Sequence, residues 1–150
     1  MAAIHDTCRC CAFALAALPL AAMAAGKLDV HAAWIRSAPP GAMMLAGYAL
    51  LHNSGDATLV VHGARSEAFG TVALHESVES GGVERMRPLG DLTLAPNASV
   101  ILAPGGKHLM LMQPARPLPA GSSVKIHFDT GDDGGSDADF VVRDDAPQAH

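Results

Sequence analysis

The chain has 150 residues, of which 49% are hydrophobic and 4% aromatic, and its formal net charge is −5 at pH 7. That length is sufficient for one domain with a core built mainly from Leu, Val, Ile and Ala. The acidic balance and the absence of a basic patch in the sequence argue against nucleic acid as a partner.

The N-terminal segment has the pattern of an export signal. A short stretch with one basic residue, Arg9, precedes an apolar run at residues 12–25, and Ala22-Met23-Ala24 fits an A-x-A cleavage site. The apolar run is shorter than the roughly 20 residues that a membrane-spanning helix needs. We therefore predict that residues 1–25 are a signal peptide and that the mature protein is exported.

All three cysteines, Cys8, Cys10 and Cys11, lie in this segment. The mature domain consequently lacks both a disulfide framework and thiolate metal ligands. The residues before Cys11 are not the apolar and small residues that precede a lipidated cysteine, so lipidation is not expected.

The rest of the chain reads as short strands separated by turns rich in Gly, Pro, Asn and Asp. The predicted strands are 30–36, 46–53, 58–66, 71–78, 83–87, 92–94, 98–103, 108–113, 123–129 and 138–143. This frequency of turns favours an all-β antiparallel sandwich or small barrel. We predict one domain at 26–143 and a flexible tail at 144–150.

The strand at 108–113 alternates two residue classes. Because successive side chains point to opposite faces, Leu109 and Leu111 are expected in the core. His108, Met110 and Met112 then share the opposite face.

A second stretch places His75 on the face away from Leu74. A hairpin with an even loop centred on Ser80-Gly81 predicts three directly opposed pairs: His75–Met86, Glu76–Arg85 and Val78–Val83. Opposed residues have Cβ atoms about 4.5–5.5 Å apart. His75 and Met86 would then form half of a site, and His108 with Met110 the other half.

Two imidazoles and two thioethers select a soft metal ion. Thioether sulfur favours Cu(I), whereas Zn(II) prefers thiolate, imidazole or carboxylate. A blue-copper site needs a cysteine thiolate. Taken singly, a strand Met is usually core filler and a lone His is usually a surface residue; their joint position away from the leucine faces favours a metal site.

The spacing of these four residues, H-x10-M-x21-H-x-M, resembles the signature of the periplasmic copper chaperones of the PCuAC type. The flanking segments are also similar to that family: Ala33-Trp34-Ile35-Arg36, Ala38-Pro39-Pro40-Gly41, Ala46-Gly47-Tyr48, Leu74-His75-Glu76, Met86-Arg87-Pro88 and Pro104 to Met112.

The resemblance implies a cupredoxin-like antiparallel β-sandwich of Greek-key type that binds one Cu(I) per chain. By position, its ligands are His75, Met86, His108 and Met110. It further implies a periplasmic metallochaperone that delivers copper toward cytochrome c oxidase, directly or through a thiol-bearing assembly factor. We expect a monomer without a membrane span after signal removal.

Several alternatives remain open at this point. Met112 could be an auxiliary copper contact or a packing residue, and Met43-Met44 could line a copper path or fill a loop. The same site would suit a copper-storage or detoxification protein, or a copper redox enzyme, and the fold would suit a metal-free interaction module. Because no Ser-His-Asp order or paired-carboxylate pattern is present, we expect no enzymatic activity.

Overall fold

The computed structural model describes residues 25–131 and 134–146, so the predicted signal peptide lies outside the described residues except for its last position. The described part forms eleven strands. They are β1 (Leu28–Arg36), β2 (Met44–Asn53), β3 (Leu59–Val61), β4 (Gly63–Arg65), β5 (Phe69–Ser80), β6 (Val83–Pro88), β7 (Leu92–Leu94), β8 (Ser99–Leu102), β9 (Lys107–Pro114), β10 (Ser123–Asp129) and β11 (Ser136–Arg143). Within these ranges no helix is long and apolar enough to cross a membrane.

Nine of the strands form one large sheet. Its order is β4-β10-β11-β1-β2-β9-β5-β6, with β8 paired to β2 beside this path, while β3 and β7 form a separate two-stranded sheet. Most pairs are antiparallel; the exception is β1 with β11, which run parallel. The predicted all-β sandwich is confirmed.

Strand residues from both sheets enclose a single apolar core. Leu109 and Leu111 of β9 are fully buried, as their alternation predicts. They pack in one cluster with side chains from other strands of the large sheet and from the small sheet, among them Leu51, Leu59, Leu94, Ile126, Phe128 and Phe140. The opposite, outer face of β9 is therefore available for other chemistry.

The segment predicted as one strand at 58–66 is divided between the two sheets. β3 pairs with β7, whereas β4 pairs with β10. At the junction the backbone N–H of His62 donates to the carbonyl of Asp129. The chain therefore leaves β7 and begins to pair with β10 within a single residue.

Asn53, at the end of β2, is fully buried and joins three parts of the chain. Its side-chain oxygen accepts from the N–H groups of Lys27 and Gly55. Its amide nitrogen donates to the carbonyls of Ala57, Leu94 and Ala95 at 2.8, 3.1 and 3.2 Å. Buried backbone groups need such partners, so this side chain holds the loop after β2 against β7 and the start of β1.

Candidate metal centre

Strand β9 brings the two predicted halves of the site together. It lies between β2 and β5, and His108 is directly opposite His75 on β5. The imidazole centroids are 6.1 Å apart. Met110 lies two residues further on the same face, opposite Ala73. Three of the four predicted ligands therefore occupy one patch of the outer face.

The predicted hairpin register is wrong by two residues. Gly81 and Gly82 both have positive φ, 63° and 76°, and form the two-residue loop that such a conformation favours in hairpins. The loop is thus Gly81-Gly82 and not Ser80-Gly81. As a result Met86 lies opposite Ser77, and His75 lies opposite Pro88.

The other two predicted pairs change with the register. Glu76 is opposite Arg87 instead of Arg85, and Val78 is opposite Arg85 instead of Val83. A shift by two residues preserves the face. Met86 therefore stays on the same side of the sheet as His75 but is its diagonal neighbour, a position still within reach of a long side chain.

The ring of His108 is held by a backbone carbonyl. Its Nδ1 lies 2.9 Å from the carbonyl oxygen of Gly106, and this oxygen also accepts from the N–H of Ser77 at 3.1 Å. A carbonyl can only accept, so Nδ1 carries a proton, and in the neutral form of the ring Nε2 presents its lone pair. This is the arrangement by which metal-binding histidines are oriented.

The turn before β9 positions the carbonyl group of Gly106. The N–H of Gly106 donates to the carbonyl of Ala103 at 3.1 Å, and Gly105 has a φ of 78°. Pro104 at the second position and Gly105 at the third are typical of a type II turn. The contribution of this turn to the site was not foreseen from the sequence, although the Pro-Gly-Gly run is its visible signal.

His75 contains an unpaired buried polar atom. Its Nδ1 has no hydrogen-bond partner within the described residues, which is uncommon because an unpaired buried polar group is costly. Burial, with a smaller contribution from the charge of His108, lowers the pKa of His75 below its ordinary value of 6.5. The ring is therefore held neutral, which is the form that binds metal.

An ion-pair cluster lies beside the two histidines. The carboxylate of Glu76 accepts from Arg87 of β6 at 2.8 Å and from Lys107 of β9 at 3.1 Å. These hydrogen bonds, Arg87 first, lower the pKa of Glu76. The cluster links three neighbouring strands at the level of His75 and His108, and so it helps to hold the strand that carries Met86.

The fourth predicted ligand, Met86, and the methionines outside the predicted ligand set differ in exposure and position. Met86 is 59% exposed on the edge strand β6. Met112 is half-buried on the outer face, opposite Met44 of β2. Met43 borders a separate groove with Pro39 and Leu118, which Met44 does not line.

Three of the four other described histidines have side-chain partners. His52 bonds to Ser99, His62 to Asp91 and His127 to Asp137. Within residues 25–131 and 134–146 no group of three or more His, Cys, Asp or Glu could hold a metal ion.

Several solved structures have the same fold. The copper-bound PCuAC domain from PmoF2 is 26% identical, with a TM-score of 0.65 over 83% of this chain and 97% of that domain. The apo PCuAC domain from PmoF1 is 27% identical, with a TM-score of 0.64 over 81% and 96%. The solution structure of Cu(I)-DR1885 from Deinococcus radiodurans is 28% identical, with a TM-score of 0.63 over 86% of each chain.

Sequence comparison identifies the family. The chain is 35% identical over 132 residues to "Putative lipoprotein Lxx21020" of Leifsonia xyli subsp. xyli (strain CTCB07), which covers 85% of this chain and 78% of that protein. Residues 28–142 match the family model described as "Putative lipoprotein LpqE-like". The chain belongs to this LpqE-like family, whose fold is that of the PCuAC domains.

Proposed function

We propose that this protein is an exported metallochaperone that binds one Cu(I) with His75, Met86, His108 and Met110 and passes it to an acceptor protein. Copper is the cargo in this function. The acceptor would be a copper-binding protein of cytochrome c oxidase assembly or a thiol-bearing assembly factor.

The observation that carries the proposal is the pairing of two imidazoles, His75 and His108, on adjacent strands. His75 Nδ1 is buried without a partner in the described chain, and the fixed proton on His108 Nδ1 leaves Nε2 free. Met110 adds a soft sulfur on the same face. The copper-bound and Cu(I)-bound relatives support the same cargo.

Export is supported by the apolar N-terminal run and by the description of the relative as a lipoprotein. The segment that would decide between a cleaved and a lipidated form, including Cys8, Cys10 and Cys11, lies outside the described residues. We propose the periplasm as the compartment. Intact-mass measurement of the exported protein distinguishes a chain beginning near Ala25 from one anchored by a lipid on cysteine.

The position of Met86 favours transfer over storage. A storage site gains from enclosing its ion, whereas Met86 lies on an exposed edge strand. An incoming ligand can therefore replace Met86 while both histidines and Met110 still hold the ion, so copper is never released to solvent during exchange.

A titration with Cu(I) and X-ray absorption spectroscopy test the binding step. The expected result is one tightly bound ion with two sulfur and two nitrogen neighbours. A Met86→Leu/Met110→Leu variant should lose the sulfur neighbours, while Met43→Leu, which alters a methionine on another surface, should retain them. Equal copper binding by the double variant would contradict the proposed ligands.

A transfer assay tests the second step. Loaded protein is mixed with an apo acceptor that carries a pair of thiols, and copper is followed on both proteins after separation. A chaperone should lose its ion within minutes to the acceptor, at a rate that rises with acceptor concentration. A rate that is independent of acceptor concentration would indicate simple dissociation, and retention of the ion would favour the storage function.

A further inference from the structure

The outer face of β2 and β9 carries more methionine than the four-ligand centre uses. Met44 lies directly opposite Met112, and Met112 is two residues from Met110 on the same face. Met44 is 54% exposed, so it does not fill a gap in the core. An exposed methionine opposite another methionine therefore calls for an explanation other than packing.

The spacing allows both sulfurs to reach one ion. Directly opposed residues on antiparallel strands have Cβ atoms about 4.5–5.5 Å apart, and methionine has three rotatable bonds beyond the backbone. Each thioether can therefore turn toward the middle of the pair. Thr71 of β5 lies on the other side of Met112 and leaves this position without a bulky apolar neighbour.

Between the Met44–Met112 pair and the histidines, the surface of the sheet carries small side chains on either side of Met110. The intervening row is Ala46, Met110 and Ala73, in which methionine is flanked by two small side chains. Two residues along a strand span about 6.7 Å, so Met110 stands between Met112 and His108. His108, Met110 and Met112 thus form a continuous line of nitrogen and sulfur donors along β9.

We propose that Met44 and Met112 form a second, weaker Cu(I) site, which loads the centre at His75 and His108 by way of Met110. This inference rests on the proposed copper function, and it adds a separate site with its own ligands. Two neutral thioethers select Cu(I) over harder ions. With fewer donors than the main centre, and with Met44 open to solvent, this pair should hold the ion less tightly and release it to the histidines.

Met43 provides a matched control within the same chain. It is the neighbour of Met44 and similarly exposed, at 66%, but it borders the groove formed with Pro39 and Leu118. If exposed methionine bound Cu(I) without a built site, Met43 would respond to the ion as Met44 does.

The test is an anaerobic titration of the whole mature protein with Cu(I), followed by NMR of ¹³C-labelled methionine methyl groups and of the histidine rings. The first equivalent should shift the His75 and His108 rings. A second equivalent should then shift the methyl groups of Met44 and Met112, but not that of Met43. A Met44→Leu/Met112→Leu variant should keep the first response, lose the second, and load its histidines several-fold more slowly in stopped-flow mixing.

The results separate this inference from the function on which it rests. If the histidine rings never respond to the first equivalent, the proposed copper function fails. If the rings respond but the methyl groups of Met44 and Met112 do not, or if the second response persists in the double variant, the second site is disproved. A Met43 shift equal to that of Met44 also disproves it, because binding would then follow exposure alone.

Discussion

Replacing His75 with leucine should separate copper binding from stability. Because Nδ1 of His75 has no partner in the described chain, the substitution breaks no hydrogen bond and removes a buried polar atom whose desolvation costs about 1–3 kcal/mol. We expect His75→Leu to lower Cu(I) affinity at least tenfold, while the apo protein keeps or gains thermal stability.

The measurement pairs a Cu(I) competition titration with thermal unfolding of the apo form. His52→Leu is the control, since His52 bonds to Ser99 through Nδ1 and belongs to no part of the proposed centre. The control should keep its copper affinity. A His75→Leu protein that binds copper normally would contradict the role of this ring.

The lowered pKa of His75 sets the direction of a pH effect. Protons compete with Cu(I) for the imidazole, and a ring with a pKa below 6.5 meets this competition only at lower pH. The contribution of His75 to copper affinity should therefore persist below pH 6.5 and decline as the pH falls through the lowered value.

The same shift predicts a change in apo stability. The unfolded chain takes up the His75 proton near pH 6.5, whereas the folded chain takes it up at lower pH. The free energy of unfolding should therefore decrease as the pH falls from 6.5 through the folded-state pKa. NMR titration of the ring gives the pKa directly, and a value at or above 6.5 would contradict both effects.

At the scale of elements, the two methionine ligands should contribute unequally. Met110 lies on β9 between two paired strands, whereas Met86 lies on the exposed edge strand β6, diagonal to His75. An edge side chain loses more conformational freedom when it is fixed on an ion. We expect Met110→Leu to reduce Cu(I) affinity more than Met86→Leu does, and Met86→Leu to have the larger effect on the rate of transfer.

Competition titrations of the two single variants, together with the transfer assay, check this order. Met43→Leu serves again as the unaffected reference. If Met86→Leu lost more affinity than Met110→Leu, the ion would have to lie closer to β6 than the register of His75 and His108 indicates.

The sequence predicted faces more reliably than registers. Alternation of Leu109 and Leu111 with His108 and Met110 follows from the two-residue period of a strand, and the structure bears it out. The partner of Met86 depended on which two residues form the hairpin loop. Gly81-Gly82 and Ser80-Gly81 are both plausible turns in a sequence, and only the first gives both loop residues the positive φ of a two-glycine turn.

Features that depend on long-range contacts could not be predicted from the sequence. The unpaired Nδ1 of His75 and the acceptor of His108 Nδ1 both require knowing that β5 and β9 are neighbours. His75 and Met86 lie within one hairpin, where the sequence separation is small, so a local pattern can suggest that they are neighbours. The pairing of His75 with His108 joins residues 33 positions apart, and no local pattern encodes it.

At the scale of the whole molecule, Asn53 offers a test of what holds the fold independently of copper. Its side chain is fully buried and makes five hydrogen bonds to backbone groups of Lys27, Gly55, Ala57, Leu94 and Ala95. Asn53→Ala would leave several of these groups buried without a partner, at about 1–3 kcal/mol for each that water cannot reach.

We expect Asn53→Ala to lower the free energy of unfolding by about 2–4 kcal/mol, within the range of a broken buried network. Asn53→Asp keeps the acceptor oxygen but replaces the donor with a charged oxygen. At pH values above the pKa of the new carboxyl group, it should lower the free energy of unfolding by as much as Asn53→Ala does. Asn97→Ala, at an exposed loop position, is the matched control; since Asn97 has a φ of 59°, the alanine there should cost no more than about 1–2 kcal/mol.

Copper affinity provides the second readout of the same variant. Asn53 is at the far end of β2 from Met44, and its bonds join the residue before β1, the loop after β2 and the end of β7. None of these carries a ligand of the centre at His75 and His108. At temperatures where Asn53→Ala remains folded, its Cu(I) affinity should therefore match that of the wild type. A loss of affinity in the folded variant would mean that the geometry of His75 and His108 depends on the packing of the entire sandwich and not only on the strands β5, β6 and β9.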